Sequence, residues 1–420
     1  MSKAQPDTVV RPLPVGDLEL AGIKTFHLAD CSLLLNPENG RVAYVAASDA
    51  ERFGQIQRAA ISPDGAGAAL LRRLYAAGLF QVVSRGRIAP RAIIFDPMDA
   101  CDLACPGCYR AGRLGGGYAD ERWISEVLEL AGAYPDALLI VTGGECTLHP
   151  QIERILDRVG RLPNPKQVIT DGARWTDRML TLCRDGRMHL TVSLDHASPA
   201  LSSRSRDPRA FGQAMALVER ARAIGIPVRA NAVISACNYK DARAILSFLS
   251  EHGISVVEFI LFHSPGLVEF SLSPGMLHDF LANLVPLQLE FAHLAIENVR
   301  SVYTRTFLSP RSDCGAGRHV IKVLPERRVR PCSFSDVEEI VPEGRSLTEY
   351  FRQPGPGFEA LRKRSVLDDP ECRNCDLRYV CGGGCPVRAR SATPACRCTK
   401  ELFWRVLFER PRLEPLYQKL

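Results

Sequence analysis

Apolar runs and helical stripes alternate six times between residues 91 and 262. The strand candidates are Ala92–Phe95, Ala137–Val141, Gln167–Thr170, His189–Leu194, Val228–Ile234 and Val256–Phe262. Between them, Ala119–Ala133, Pro150–Val159, Trp175–Cys183, Ala210–Ile224 and Lys240–His252 carry apolar residues at helical spacing. Repeated βα units predict an α/β fold with a parallel sheet. Upstream, Cys31–Leu35 and Arg41–Val45 read as strands around the turn Asn36-Pro-Glu-Asn-Gly40, followed by a helix over Ala66–Leu79. Residues 1–15 are polar and contain proline, which suggests a loose tail. Downstream, Pro274–Asn298 reads as one helix with some irregularity at Pro286. Beyond it long periodic segments stop, so the last 110 residues are expected to be held by ligands more than by a core. Three parts follow: a small N-terminal α+β module at 1–88, the βα region at 89–300, and a small cysteine-rich domain at 301–420.

Composition adds metal to this picture. The chain has 420 residues and 15 cysteines. Three cysteines fall in 101–108, eight in 314–398, and Cys31, Cys146, Cys183 and Cys237 are scattered. No leading basic-then-apolar segment marks a signal peptide, and no run of eighteen apolar residues marks a membrane span. A cytoplasmic location is expected, where disulfides are disfavoured and clustered cysteines point to metal. The net charge is +6. Residues 301–420 hold 22 Lys+Arg against 15 Asp+Glu, leaving 31 against 32 for the first 300. That modest surplus gives no case for nucleic acid, and suits thiolate clusters, an acidic peptide or an ordinary solvated surface.

The richest chemistry lies just after the first predicted strand. Cys101-Asp-Leu-Ala-Cys105-Pro-Gly-Cys108 has the spacing C-x3-C-x2-C. Three thiolates on one loop can hold three irons of a cubane cluster and leave the fourth iron open to a chelating ligand. A zinc site is the plainer alternative. The stretch resembles the radical S-adenosylmethionine (SAM) enzymes. That resemblance implies a partial (βα)6 TIM-like barrel over roughly 90–300, a [4Fe–4S] cluster on Cys101, Cys105 and Cys108, and SAM as the ligand of its open iron.

Other stretches fit the same family. Thr142-Gly143-Gly144-Glu145 ends the second predicted strand and looks like the family's glycine-glycine-glutamate motif, so Gly143, Gly144 and Glu145 are expected near the SAM amino group. Ser193 and Asp195 end the fourth strand, where the family often has a serine and an acid. Arg204 could reach the SAM carboxylate. Many members carry an aromatic residue before the third cysteine; here that residue is Gly107, so adenine contact is expected from Tyr109 or elsewhere. Cys146 is expected to be inert.

The C-terminal cysteines run Cys372-x2-Cys375-x5-Cys381-x3-Cys385, preceded by Cys314 and Cys332 and followed by Cys396 and Cys398. A bare C-x2-C would suggest zinc. The ordered set resembles the SPASM domain, which implies two auxiliary [4Fe–4S] clusters. Cys314, Cys332 and Cys385 would hold the first, and Cys372, Cys375 and Cys381 the second, closed by Cys396 or Cys398. A hairpin of Val320–Leu324 and Arg328–Arg330 leads to Cys332. The family's glycine five residues before that cysteine is replaced by Arg327, and a further upstream cysteine is missing, which leaves the first cluster with an open iron or a non-cysteine ligand such as Asp313. The N-terminal module is similar to winged-helix-like peptide-recognition domains, though a structural cap is an equal reading.

The resemblance implies an enzyme that cleaves SAM reductively to a 5′-deoxyadenosyl radical and abstracts hydrogen from a ribosomally made precursor peptide, giving a crosslink, epimer or other change. A flavodoxin or ferredoxin would supply electrons. A sulfatase-maturing or cofactor-building enzyme is the nearest alternative. A non-catalytic iron–sulfur or zinc scaffold that binds a peptide is the alternative of another class.

Overall fold

The computed structural model describes residues 20–58, 65–80, 88–108, 110, 116–264, 266–308, 311–385 and 395–418, with backbone alone at 305–308 and 395–398. Its centre is a parallel sheet built from the six predicted runs: β4 (Ala92–Phe95), β5 (Leu138–Val141), β6 (Lys166–Thr170), β7 (His189–Ser193), β8 (Val228–Ile234) and β9 (Val256–Leu261). Each pairs in parallel with the next. Strand alternation explains their composition. Ile93, Phe95, Leu139, Val141, Val168, Leu190, Val192, Ala230, Ala232, Val257 and Phe259 face outward and are buried in one hydrophobic cluster with the helices. The other face lines the inside of the barrel and tolerates polar residues. The helix Glu121–Ala133 begins where Asp120 accepts a 2.7 Å bond from Trp123 N, and Thr176 and Ser273 cap two later helices in the same way.

The sheet does not stop at six strands. The expected long helix over Pro274–Asn298 is a helix through Pro286 to Glu290, then β10 (Ala295–Ile296), then a helix over Glu297–Leu308. The break is made by Gln288, a wholly buried side chain. Its Nε2 donates to the Leu294 carbonyl at 2.7 Å, and its Oε1 accepts from Ile296 N at 2.8 Å. That pair of bonds lets β10 add in parallel to β9. No apolar periodicity announces it.

On the other side, β11 (Val320–Val323) pairs in parallel with β4, and β12 (Arg328–Arg330) and β13 (Glu339–Ile340) follow antiparallel. Among the described residues the sheet thus has ten strands, β10-β9-β8-β7-β6-β5-β4-β11-β12-β13. The expectation of a C-terminal part with little core is therefore corrected. Val341, Leu347, Tyr350, Phe351, Phe358, Leu377, Leu402 and Phe403 join the same buried cluster as the barrel helices. Short helices and single aromatic anchors supply this core, so a search for long periodic segments misses it.

The N-terminal residues form an antiparallel sheet, β1 (Lys24–His27), β2 (Ser32–Asn36) and β3 (Arg41–Val45), with helices over Ala47–Gln57 and Gly65–Ala76. Leu34, Ala43, Val45, Phe53, Leu70, Leu71 and Leu74 make its own hydrophobic cluster. Its other face is fastened to the C-terminal helix Ala395–Phe408. Phe26 packs on Trp404 at 5.0 Å between ring centroids, and Tyr44 Oη donates to the Leu407 carbonyl at 2.6 Å.

Candidate active site

Backbone bonds shape the cysteine loop before any metal is considered. It leaves β4 at Phe95 and passes beside the end of β5. Thr142 N donates to the Phe95 carbonyl at 2.8 Å, Gly144 N to Met98 at 3.0 Å and Glu145 N to Ala100 at 2.8 Å. This close approach is why two glycines stand here. A Cβ on Gly143, whose φ is +141°, would lie 2.4 Å from the Met98 carbonyl oxygen, and one on Gly144 would lie 2.2 Å from that of Ala100. The glycine pair therefore seats the cysteine loop against the second barrel strand.

The Glu145 carboxylate is buried and turns toward the end of β6. Oε1 accepts from Thr147 N at 3.0 Å and Thr147 Oγ1 at 2.7 Å; Oε2 accepts from Asp171 N at 2.9 Å, and Thr170 Oγ1 lies 3.0 Å from both oxygens. Asp171 reaches back to within 4.0 Å of Cys101 Sγ. Burial and then the neighbouring Glu145 charge push the Asp171 carboxyl up to about 7. Cys146 is fully buried and its thiol is held well above the ordinary value, first by burial, so it belongs to the core.

The far side of the loop is clamped by residues 205–209. Gly107 N donates to the Ser205 carbonyl at 2.9 Å, Ala104 N to Asp207 Oδ2 at 3.1 Å, and Asp207 N to Cys105 Sγ at 3.3 Å. The Asp207 carboxyl is held far below the usual range, chiefly by the Arg209 side chain. Asp195 is buried and serves this clamp. It takes two bonds from Arg206, at 2.7 and 3.0 Å, one from Ser205 Oγ at 3.3 Å and one from Val233 N at 2.8 Å. Arg206 lies within electrostatic reach of Cys105 and Cys108. Arg204, the arginine singled out from the sequence, is exposed. In the run Ser-Arg-Ser-Arg-Asp nothing local distinguishes the two arginines; only the turn after residue 202 sends one inward. Asn238 is likewise internal, bonded to the carbonyls of Asp195 and Val233.

Tyr109 lies outside the described residues. Phe270, unremarked in the sequence, comes within 3.6 Å of the point where a Cβ on Gly107 would lie. It is buried and packs on Phe262 at 5.5 Å. An aromatic ring thus reaches this part of the loop from the segment after β9.

None of the thirteen described cysteines forms a disulfide. Burial raises the Cys101 thiol to about 12 and the Cys105 thiol less strongly. Such thiols stay protonated unless a cation takes the proton's place, which is how metal ligands behave. In the C-terminal part, Cys314 and Cys332 are raised first by burial, and both lie within electrostatic reach of Cys385. Their sulfurs accept bonds from the backbone N–H of Ala316, and of Phe334 and Ser335. Cys372 and Cys375 flank one turn, with Cys375 N donating to the Cys372 carbonyl at 3.0 Å, and Cys381 ends a short helix over Arg378–Cys381. Gly382, Gly383 and Gly384 are all left-handed, at φ +78°, +83° and +64°, and carry the chain from Cys381 to Cys385. Cys396 and Cys398 sit on the backbone of the helix Ala395–Phe408, and their side chains lie outside the described residues. The Asp313 carboxylate caps Gly315 N at 2.7 Å and pairs with Arg318 at 3.3 Å, so it is already engaged.

Residues 95–262 match the family model described as the Radical SAM superfamily. A PqqA peptide cyclase from Methylobacterium sp. (strain 4-46) is 26% identical over 344 residues, covering 73% of this chain and 86% of that protein. The mycofactocin maturase MftC of Mycobacterium tuberculosis (strain ATCC 25618 / H37Rv) is 24% identical over 329 residues, covering 73% and 81%. Among solved structures, native anSMEcpe with bound AdoMet matches with a TM-score of 0.64 at 18% identity, covering 79% of this chain and 100% of that one. Streptococcus suis SuiB bound to precursor peptide SuiA matches with a TM-score of 0.58 at 14% identity, covering 89% and 96%. The structural likeness, at these identities, concerns the fold. With the three-cysteine loop at the end of β4, the family match identifies residues 95–262 as a radical SAM domain.

Proposed function

We propose that this protein is a radical SAM maturase of a ribosomally made peptide. The observation that carries the reading is the cysteine loop: three thiols on one strand-end loop, locked between the Gly143–Gly144 crossing and the Asp195–Arg206–Asp207 clamp. The enzymes named for peptide cyclisation and mycofactocin maturation, similar along nearly three quarters of the chain, supply the substrate class.

In this reading Cys101, Cys105 and Cys108 hold the [4Fe–4S] cluster, with SAM beside it. When bound, that pair supplies one-electron reductive cleavage of SAM and a 5′-deoxyadenosyl radical. The protein's own part is positional. Gly143, Gly144 and Glu145 form the backbone ledge beside the SAM amino group, Ser193 faces the barrel interior, and Arg206 places a half-buried cation within electrostatic reach of Cys105 and Cys108. Asp195 acts by orienting Arg206. Tyr109 or Phe270 offers an aromatic face.

Two auxiliary [4Fe–4S] clusters are part of the proposal, on Cys314, Cys332 and Cys385, and on Cys372, Cys375 and Cys381 with Cys396 or Cys398. The proximity of the first three thiols supports it. The three-part division at 88 and 300 is also part of the proposal, with the N-terminal module read as a cap, or a peptide-recognition unit, fastened to the C-terminal helix. A flavodoxin or ferredoxin would deliver electrons, and the reducing cytoplasm suits such thiolate sets. Among the described residues no helix is long and apolar enough to cross a membrane.

The test is anaerobic reconstitution with iron, sulfide, SAM and dithionite. Methionine and 5′-deoxyadenosine should form, and a short peptide encoded beside the gene should change mass. Stoichiometric zinc without iron–sulfur absorption would exclude the reading.

A further inference from the structure

The inner face of the barrel carries a polar row apart from the cysteine loop. Ser193 on β7, Asn231 on β8 and Glu258 on β9 are neighbours in register. The residues flanking them (Val192 and Leu194, Ala230 and Ala232, Val257 and Phe259) are buried in the outer core. Strand alternation therefore turns the three polar side chains into the barrel. Gln167 and Arg229 on this face are paired. Gln167 Nε2 donates to Thr191 Oγ1 at 2.7 Å, and Arg229 pairs with Glu297 at 3.2 Å.

Asn231 and Glu258 differ from these. Asn231 is 8% exposed, and among the described residues its side-chain amide has no hydrogen-bond partner. The Glu258 carboxylate accepts no hydrogen bond there either, and it remains open to solvent. Its pKa is nonetheless raised, by burial first and then by Glu297. Strand alternation sets this exposed carboxylate on the inner face of the barrel, in register with Asn231. With no protein partner, the amide of this largely buried residue is left to meet solvent or a ligand. Adjacent strands are about 4.8 Å apart, so one ligand group can meet both side chains.

We propose that Asn231 and Glu258 form the pocket that holds a lysine, arginine or amide side chain of the peptide substrate. The carboxylate accepts from the ligand's N–H groups, and the amide offers both an acceptor and a donor. The inference rests on the peptide-maturase reading, and it assigns these two residues to substrate rather than to SAM. They lie on strands four and five places along the sheet from β4, which carries the cysteine loop.

The test uses the reconstituted full chain with SAM and an equimolar pool of synthetic ten-residue peptides that differ only in a central Lys, Arg, Asn, Gln, Leu or Asp. Peptides retained on the protein are identified by mass spectrometry. The Lys, Arg, Asn and Gln peptides should be retained over Leu and Asp. Glu258→Gln should lower retention about tenfold or more, the effect of losing a charged hydrogen bond. Asn231→Asp adds a second carboxylate and should shift selection from the amide peptides toward Lys and Arg, which a merely structural role would not do. Iron content and a melting curve establish that each variant is folded, and either variant alone decides the matter. Equal retention by parent and variants overturns the pocket and leaves the maturase reading standing. Failure of the parent to retain any peptide overturns the pocket, and 5′-deoxyadenosine formation in the same preparation shows whether the radical SAM activity survives that failure.

Discussion

Arg327 shows how a single residue can hold a conformation it does not favour. It stands where the SPASM resemblance expects glycine, and it keeps a left-handed backbone at φ +59°, next to Glu326 at +58°. Two successive positive φ values make the tight turn of the β11–β12 hairpin. The side chain compensates. It pairs with Glu126 at 2.8 Å, donates to the Arg345 carbonyl at 2.7 Å and lies 4.7 Å over the Trp123 ring. Arg327→Ala should therefore be more destabilising than Arg327→Gly by about 1 kcal/mol, because only glycine removes the left-handed cost; paired thermal melts measure the difference. Gly144→Ala is the sharper change. A methyl group 2.2 Å from the Ala100 oxygen must push the cysteine loop from the β5 end. We expect that variant to lose most 5′-deoxyadenosine formation, read beside iron content.

At the scale of elements, a buried charge network binds the cysteine loop to the C-terminal hairpin. Asp96, at the end of β4, is fully buried and meets Arg110 at 2.6 Å and Lys322 of β11 at 2.9 Å. Asp99 meets Arg110 at 2.7 Å and also Arg328 of β12. Arg330 pairs with Glu338 at 2.7 Å. Removing one partner of a buried ion pair leaves an uncompensated charge, at a cost of about 3–5 kcal/mol. Lys322→Met should approach that loss, softened because Arg110 stays on Asp96. The double change Lys322→Met with Asp96→Leu should recover part of it, since neither charge is then stranded. Denaturant unfolding of the set checks this, and failure of the double variant to recover would mean that Asp96 is needed by Arg110 instead.

Across the whole molecule, the first cysteine set follows β4, and the other cysteines lie in the C-terminal part that joins the same sheet through β11. Cys101→Ala, Cys105→Ala and Cys108→Ala together should abolish 5′-deoxyadenosine formation and leave iron in the C-terminal sets, from about twelve irons when all three load as cubanes. Cys372→Ala with Cys375→Ala should retain SAM cleavage and lose modified peptide; a folded variant that modifies peptide at the parent rate would remove any catalytic role for that set. Local pattern was enough for much of this protein. Apolar runs located the six central strands within one residue at their ends, since a strand buried by helices must be apolar. The spacing of three cysteines marked the first loop, because ligands close in sequence must be close in space. Other features had no local signal. The β10 break depends on Gln288 bonding six and eight residues onward, the β11–β4 pairing joins residues more than 220 apart, and Arg206 rather than Arg204 turns inward because Asp195 lies there. Ser193, Asn231 and Glu258 come from three separate strands, and only the register of the folded sheet sets them side by side.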